Sequence, residues 1–252
     1  MNKDVDTSLF FYSAEYTVAM NRYRWALAAI FLLAWVLAAI NPIDRNTWIV
    51  ENVLVVLFAT VLFLLGRYFK LSDISYTFIT IYLALHLIGA HWTYAEVPFG
   101  YWLQDLIDSP RNMYDRVVHF SFGLLLAYPI REMFVRVTGA KGVWGYYFPL
   151  DIVLSFSAMY EIIEWIAAFV ADPATAAAFL GSQGDIWDTQ KDMAAAGIGA
   201  LIAVAIVFAI NYFYNRKLGA EMRESLRIKD PNPHGEESFW SVYCLENGRS
   251  SC

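Results

Sequence analysis

Acidic side chains and a histidine recur at helical spacing in three separate stretches of this sequence. The pairs are Asp115 with His119, Glu161 with Glu164, and Asp188 with Asp192. Residues three or four positions apart share one face of a helix, so each pair can point into a common site. Carboxylates and imidazoles are ligands for divalent cations, and a bound cation can activate water against a phosphate or an ester.

These pairs and their charged neighbours define a candidate site. We predict that the catalytic residues are Asp115, His119, Glu161 and Glu164. The candidate metal ligands for a divalent ion are Asp188, Asp192 and His119. The candidate substrate-binding residues are His91, Arg111, Arg116 and Asp185. No compact motif such as His-Glu-x-x-His is present, so the prediction of a metal rests on clustering.

Each of these residues also has a purely structural interpretation. Asp115 and Arg116 could flank a helix start, where an acid suits the helix dipole. His119 could be a packed histidine, and the two glutamates of the Glu161 stretch could pair with Arg111 or Arg116. The acids near residue 188 could be solvated loop residues or a helix cap.

The elements that must position these residues are apolar blocks long enough to cross a membrane. The chain is 58% hydrophobic and 17% charged, against about 25% charged residues in typical soluble domains. A spanning helix needs about 20 mostly apolar residues. Six blocks qualify: Trp25 to about Ile43, Trp48 to Gly66, Ile74 to Tyr94, Tyr114 to Val135, Tyr147 to Val170, and Met193 to Asn215. We therefore predict an all-α polytopic membrane protein with six transmembrane helices in a bundle.

Basic residues predict the orientation of this bundle, because cytoplasmic loops collect Lys and Arg. Most basic residues fall in the N-terminal segment, the second and fourth loops and the C-terminal tail. The alternate segments hold only Arg45, Arg111, Arg116 and Lys191. The pattern predicts both termini in the cytoplasm, with residues 1–24 as a cytoplasmic segment, 25–215 as the transmembrane domain and 216–252 as a polar cytoplasmic tail. The predicted location is the bacterial inner membrane.

Charge and cysteine content limit the partners. The net charge of -6 argues against nucleic acid, and membrane lipids are the expected partners, while protein partners stay open. Cys244 and Cys252 both lie in the polar tail and suggest no disulfide framework.

Small and aromatic residues predict two packing features. Gly197 and Gly199 should allow close helix contact. The turn at 181–184 precedes Trp187, which we expect to pack against the bundle and to place Asp185 and Asp188 over an outward-facing cavity.

Five long stretches resemble the YjdF-like family of bacterial inner-membrane proteins, for which no reaction is established. They are residues 41–48, 89–100, 111–120, 160–165 and 179–193. Several motifs in the right order make the resemblance specific, and it extends from about Arg24 to Tyr214.

A weaker resemblance is to the VanZ-like family, in which an Asp-Lys-x-x-His-Phe signature opens one helix, a Glu ends the next and an Asp opens the last. Asp115, His119 and Phe120 match the signature, although Arg116 stands where it has Lys. Glu161 or Glu164, then Asp192 and Gly197, follow in the same order. The resemblance implies a role in the cell envelope.

Three functions compete on this sequence. An enzyme would use a divalent metal against a lipid-linked or envelope substrate. A non-catalytic protein would bind a lipid head group or a partner through its aromatic outer segments. A transporter would relay protons through the carboxylates and histidine, although the inner half of the membrane offers only Asp151 and no inverted repeat is visible.

Overall fold

Every regular element in the part of the chain that the structure describes is an α-helix. The computed structural model describes residues 7–66, 68–170, 176 and 182–229. The helices are α1 (Thr7–Ala38), α2 (Arg45–Leu65), α3 (Asp73–His91), α4 (Pro98–Leu106), α5 (Tyr114–Thr138), α6 (Trp144–Val170), α7 (Asp188–Tyr214) and α8 (Leu218–Ser225). The all-α prediction is therefore confirmed. Gly181, the two cysteines and most of the tail lie outside the described residues.

Four of the described helices, α2, α3, α6 and α7, are long and apolar enough to cross a membrane. The chain is thus a polytopic helical membrane protein. Their surfaces carry exposed large apolar side chains, such as Val53, Phe63, Phe169 and Phe213. Such side chains are stable facing hydrocarbon and would be costly facing water.

Helix α5 is the centre of the bundle and packs against α3, α4, α6 and α7. Its contact with α7 is made by backbone against backbone. A Cβ on Gly123 would collide with the carbonyl of Ala196, and one on Gly199 would collide with the carbonyl of Phe120. Gly197 meets Leu154 of α6, where a Cβ would lie 2.9 Å from the side chain. The predicted close contact at Gly197 and Gly199 is confirmed, since small residues let helices approach.

The helix termini form two ends of the bundle. At one, called here the site end, α2, α5 and α7 begin and α3 and α6 end. Asp44 caps α2 by accepting a hydrogen bond from the Thr47 amide at 2.6 Å. The Ile43 amide donates to the His91 carbonyl at 3.0 Å and so joins the loop before α2 to the end of α3.

The short helix α4 lies at the site end between α3 and α5, and the sequence did not predict it. Pro98 stands in its first turn, where its missing N–H costs nothing. Gly100 is buried against Asn112, and a side chain there would overlap the Asn112 amide. Phe99 and Trp102 stack at 5.4 Å between ring centroids and stay exposed. Nine residues are too few for hydrophobic periodicity to distinguish such a helix from an aromatic loop.

At the opposite end, Glu132 of α5 is fully supplied with donors. Its carboxylate accepts hydrogen bonds from the Ser75 hydroxyl at 2.6 Å, the Ser72 hydroxyl at 2.8 Å and the Ser72 amide at 2.9 Å. Arg136 lies one turn further along and pairs with it at 2.7 Å. The Glu132 carboxylate therefore links the start of α3 to the C-terminal part of α5.

Candidate functional site

Arg111, in the loop before α5, and Arg116, in the first turn of α5, hold the acids at the start of α7. Arg111 is 4% exposed and pairs closely with Asp188. Arg116 donates to Asp188 Oδ1 at 2.6 Å, lies 3.3 Å from Asp185 Oδ2 and pairs closely with Asp192. We call Arg111, Arg116, Asp185 and Asp188 the arginine layer. It fixes the start of α7 against α5 by charge-assisted hydrogen bonds.

The loop before α7 is ordered by a different residue from the one expected. Gln183 accepts a hydrogen bond from the Asn112 amide at 2.8 Å, and Asn112 in turn donates to the Val97 carbonyl at 3.0 Å. Trp187 is 59% exposed, so the prediction that it packs against the bundle is wrong. The polar clamp made by Gln183 positions this loop, and no apolar anchor is needed.

Asp185 lies in that loop, with Lys191 at 2.7 Å. The hydrogen bond from Lys191, helped by one from the Trp187 amide, lowers the pKa of the Asp185 carboxyl below its usual range. Asp185 therefore stays ionised and joins Lys191 to Arg116.

Behind the arginine layer, α5, α6 and α7 bring four candidate residues together. His119 Nε2 lies 3.5 Å from Asp115 Oδ1 and 3.7 Å from Glu161 Oε1. Ligand atoms of Asp115, His119 and Asp192 all lie within 4.8 Å of one another. We call these four residues the His119 cluster. Of the two α6 glutamates, Glu161 is the one that approaches His119.

The spacing within the His119 cluster is too long for hydrogen bonds, which need roughly 2.7–3.2 Å. Glu161 Oε1 is buried without a hydrogen-bond partner. Two atoms bound to one tetrahedral ion at roughly 2.0–2.1 Å lie about 3.4 Å apart. The 3.5 Å between His119 Nε2 and Asp115 Oδ1 is close to that value. Asp192 offers a third ligand atom within 4.8 Å of both, so these three residues are the candidate ligands of a divalent cation.

Charge at the site end is unbalanced. The carboxylates that pair there are Asp115, Glu161, Asp185, Asp188 and Asp192, and the cations facing them are Arg111, Arg116 and Lys191. Buried like charges repel strongly in a medium of low polarity. The surplus of acid therefore favours a bound cation or retained protons.

Three predicted site residues lie apart from the His119 cluster. Glu164 lines a crevice between α2 and α6, and its part in one site with His119 stays a prediction. His91 Nδ1 hydrogen bonds with the Ala38 carbonyl at 3.0 Å and ties α3 to α1. Asp188 pairs with Arg111 and Arg116. The three residues spaced to bind a metal are Asp115, His119 and Asp192, so Asp115 takes the place predicted for Asp188.

A further buried branch was not among the predicted site residues. Glu51 of α2 is 2% exposed, accepts a hydrogen bond from the Tyr160 hydroxyl at 3.1 Å and lies 3.8 Å from His86 Nε2. The Tyr94 hydroxyl shares a hydrogen bond of 2.6 Å with His86 Nδ1. Because the Tyr160 ring stacks edge-on against His119 at 5.8 Å, this branch reaches the His119 cluster. The sequence did contain one indication of this branch, because Glu51 is a single acidic residue in the first turns of an otherwise apolar block.

The His119 cluster is more enclosed than the outward-facing cavity that the sequence predicted. The side chains of Asp115 and His119 keep 16% and 11% of their surface exposed, and that of Asp192 keeps 3%. The described residues thus form a nearly closed polar cluster beneath the arginine layer.

A helical bundle with apolar outer faces and an ionisable cluster enclosed at one end defines a multi-pass membrane protein with a polar internal site. Residues 23–212 match the family described as "Predicted membrane protein (DUF2238)", and the chain belongs to that family. It is 36% identical over 195 residues to "Inner membrane protein YjdF" of Escherichia coli (strain K12), an alignment covering 76% of this chain and 92% of that protein. It is a multi-pass inner-membrane protein. No solved structure matches it, and the likeness to the VanZ-like family stays a prediction.

Proposed function

We propose that this protein is a membrane-embedded, metal-dependent hydrolase that acts on a phosphate or ester of a lipid-linked envelope substrate. The observation that carries the proposal is the group of Asp115, His119 and Asp192, whose ligand atoms all lie within 4.8 Å of one another. An ion-pair network alone would draw such groups to hydrogen-bonding distance. A bound divalent ion would supply Lewis acidity for polarising water or a phosphoryl oxygen.

The residues take distinct parts in this proposal. Asp115, His119 and Asp192 hold the ion, and imidazole with carboxylates suits zinc-type ions or manganese. Glu161, with its unpaired buried oxygen, completes the ligand set or accepts a proton from water. Arg116 restrains Asp192 from the side, and Arg111 holds Asp188 away from the ion.

The proposed topology has six spans, with both termini in the cytoplasm. It adds α1 and α5 to the four long apolar helices. Helix α5 carries charges near both ends, yet as the central helix it is shielded from lipid by its neighbours. Excess Lys and Arg flank the opposite end, so the site end faces away from the cytoplasm. A cytoplasm-active reporter fused after Lys141 or Lys217 should be active, and one fused near Ser182 should be silent. A silent fusion after Lys217 would contradict the six-span topology.

The proposed activity can be tested with the purified protein in liposomes made of bacterial polar lipids. With Mn²⁺ or Zn²⁺ added, we expect head-group cleavage products by mass spectrometry, reduced at least a hundredfold in Asp115→Asn. The matched control is Asp105→Asn, an exposed acid of α4, which should keep full activity. Equal product levels in both variants, or none with any metal, would overturn the proposal.

A second candidate function is non-catalytic binding of lipid head groups at the site end. The observation favouring it is the stacked, exposed Phe99–Trp102 pair of α4, since aromatic rings settle at the membrane interface. Retention of head-group lipids by the liposome-extracted protein without any cleavage would favour this function. Proton-coupled transport ranks third, because Asp151 towards the other end of α6 is exposed and does not extend the His119 cluster.

A further inference from the structure

A crevice opens between α2 and α6 on the side of the bundle. Apart from two glutamates its lining is aliphatic. The lining residues are Ile49, Val50, Glu51, Val53, Leu54, Ile163 and Glu164. Val53 is 60% exposed and Ile163 is 41% exposed, so both walls reach the outer surface of the bundle. In a membrane protein that surface is covered by lipid.

The two carboxylates lie in the part of α2 and α6 that is near the site end of the bundle. Glu51 is the seventh residue of α2, about 9 Å along the helix axis from its start. Tyr160 of α6 reaches across to α2, where its hydroxyl donates a hydrogen bond to Glu51 Oε2 at 3.1 Å. Glu164 also hydrogen bonds with the Tyr160 hydroxyl. One hydroxyl proton cannot satisfy two carboxylates. A carboxylate beside hydrocarbon is costly, so a positively charged or hydrogen-bond-donating group in the crevice would stabilise both.

The crevice also leads towards the His119 cluster. The hydroxyl of Tyr160 meets Glu51 of the crevice, and its ring packs edge-on on His119 at 5.8 Å. Access to the cluster from the end of the bundle is restricted, because Arg111 and Arg116 pair closely with Asp188 and Asp192. A molecule dissolved in the bilayer would therefore approach this cluster most directly from the side.

We propose that the α2–α6 crevice binds one membrane lipid, with an acyl chain along its aliphatic walls and a hydroxyl- or ammonium-bearing head group against Glu51 and Glu164. An acyl chain fits an apolar slot that faces hydrocarbon, and a donor-bearing head group is complementary to the two carboxylates that line the crevice. This lipid is the substrate of the site if the proposed function holds, and the crevice is then its lateral entrance.

The test uses bulky substitutions on the two walls, each with a control on the same helix. The protein is reconstituted in liposomes of phosphatidylethanolamine and phosphatidylglycerol, extracted into mild detergent, and weighed by native mass spectrometry. We expect one retained lipid on the unmodified protein and at least tenfold lower occupancy in Val53→Trp and Ile163→Trp. Leu57→Trp and Ile162→Trp replace residues that are 58% and 53% exposed but do not line the crevice, and they should retain the lipid. A second arm replaces both carboxylates, as Glu51→Gln with Glu164→Gln, which should remove any preference among head groups.

Equal retention in the wall variants and their controls, or no retained lipid on the unmodified protein, would overturn the lipid site. Thermal unfolding of each variant identifies a wall variant that fails to fold, and the second wall then decides. Metal binding is measured on the same samples, and it should survive Val53→Trp because the His119 cluster lies outside the crevice. Retained lipid on an unmodified protein that binds no metal would count against the proposed function alone.

Discussion

Both ends of the bundle contain buried or half-buried carboxylates, but the carboxylates at the two ends differ in how well their oxygens are hydrogen-bonded. At the opposite end, Glu132 has three donors within 2.9 Å and a single arginine at 2.7 Å. At the site end, His119 has carboxylate oxygens at 3.5 Å and 3.7 Å, and a buried oxygen of Glu161 has no partner. A cluster that serves only structure settles into short, satisfied contacts. The contrast supports the proposal that the His119 cluster binds a ligand.

Removing Arg116 should have the largest effect on stability. Arg116→Ala leaves Asp192 without its cation and removes one of the two cations that pair with Asp188, and breaking a buried ion pair costs about 3–5 kcal/mol. We expect loss of most folded protein in detergent, measured by thermal unfolding and size-exclusion chromatography. Arg45→Ala removes an exposed arginine that donates to the Ala39 carbonyl and should change little. A folded Arg116→Ala protein of unchanged thermal midpoint would show that the arginine layer is dispensable.

Replacing Glu132 should have an intermediate effect confined to the opposite end. Glu132→Ala leaves the Ser72 and Ser75 donors without their acceptor, at a cost of about 2 kcal/mol. Denaturant unfolding should record this loss while divalent-metal affinity stays unchanged. A weakened metal affinity in Glu132→Ala would mean that the two ends are coupled and would weaken the comparison.

Replacing Glu161 should affect stability least among the buried acids, or raise it. Glu161→Gln keeps the shape and removes one of the surplus charges, so we expect a gain of up to about 1 kcal/mol in the absence of metal. Chemical unfolding in the presence of a chelator measures this. A loss of more than about 2 kcal/mol would show that Glu161 makes a stabilising contact and that the structural interpretation is right.

The smallest effect is expected at Asp185, where the pH dependence can be read directly. The pKa of Asp185 is lower in the folded protein than in the unfolded chain. Its ionised carboxylate therefore stabilises the folded protein above the unfolded-state pKa, and this stabilisation is lost as the pH falls through the folded-state pKa. Asp185→Asn should lower the thermal midpoint slightly at pH 7, and the difference from the unmodified protein should shrink as the pH falls below the usual carboxyl pKa of about 4. Lys191→Ala should show the same pH dependence of the thermal midpoint. A difference in thermal midpoint from the unmodified protein that stays the same in acid would contradict the pairing of Asp185 with Lys191.

Local spacing was enough to predict most of the fold and part of the site. The apolar blocks and the glycines of α7 predicted the helices and their close packing, because both features are local. The i, i+4 pairing of Asp115 with His119 was predictable for the same reason. Which of Glu161 and Glu164 meets His119 depends on the rotation of α6, and that rotation is set by packing against α5 and α7. His86 and Tyr94 depend on tertiary contacts in the same way, and Trp187 was misjudged because a polar clamp at Gln183 replaced an apolar anchor.

Metal binding by the His119 cluster tests the central claim most directly. Calorimetric titration of the purified, chelator-treated protein with Zn²⁺ and Mn²⁺ should show one site per chain for at least one ion. In His119→Gln the affinity should fall at least a hundredfold with folding intact, while His91→Gln, a histidine bound to the Ala38 carbonyl at the same end, should leave it unchanged. No binding by the unmodified protein, or equal affinity in both histidine variants, would contradict the account and leave the cluster as an ion-pair network.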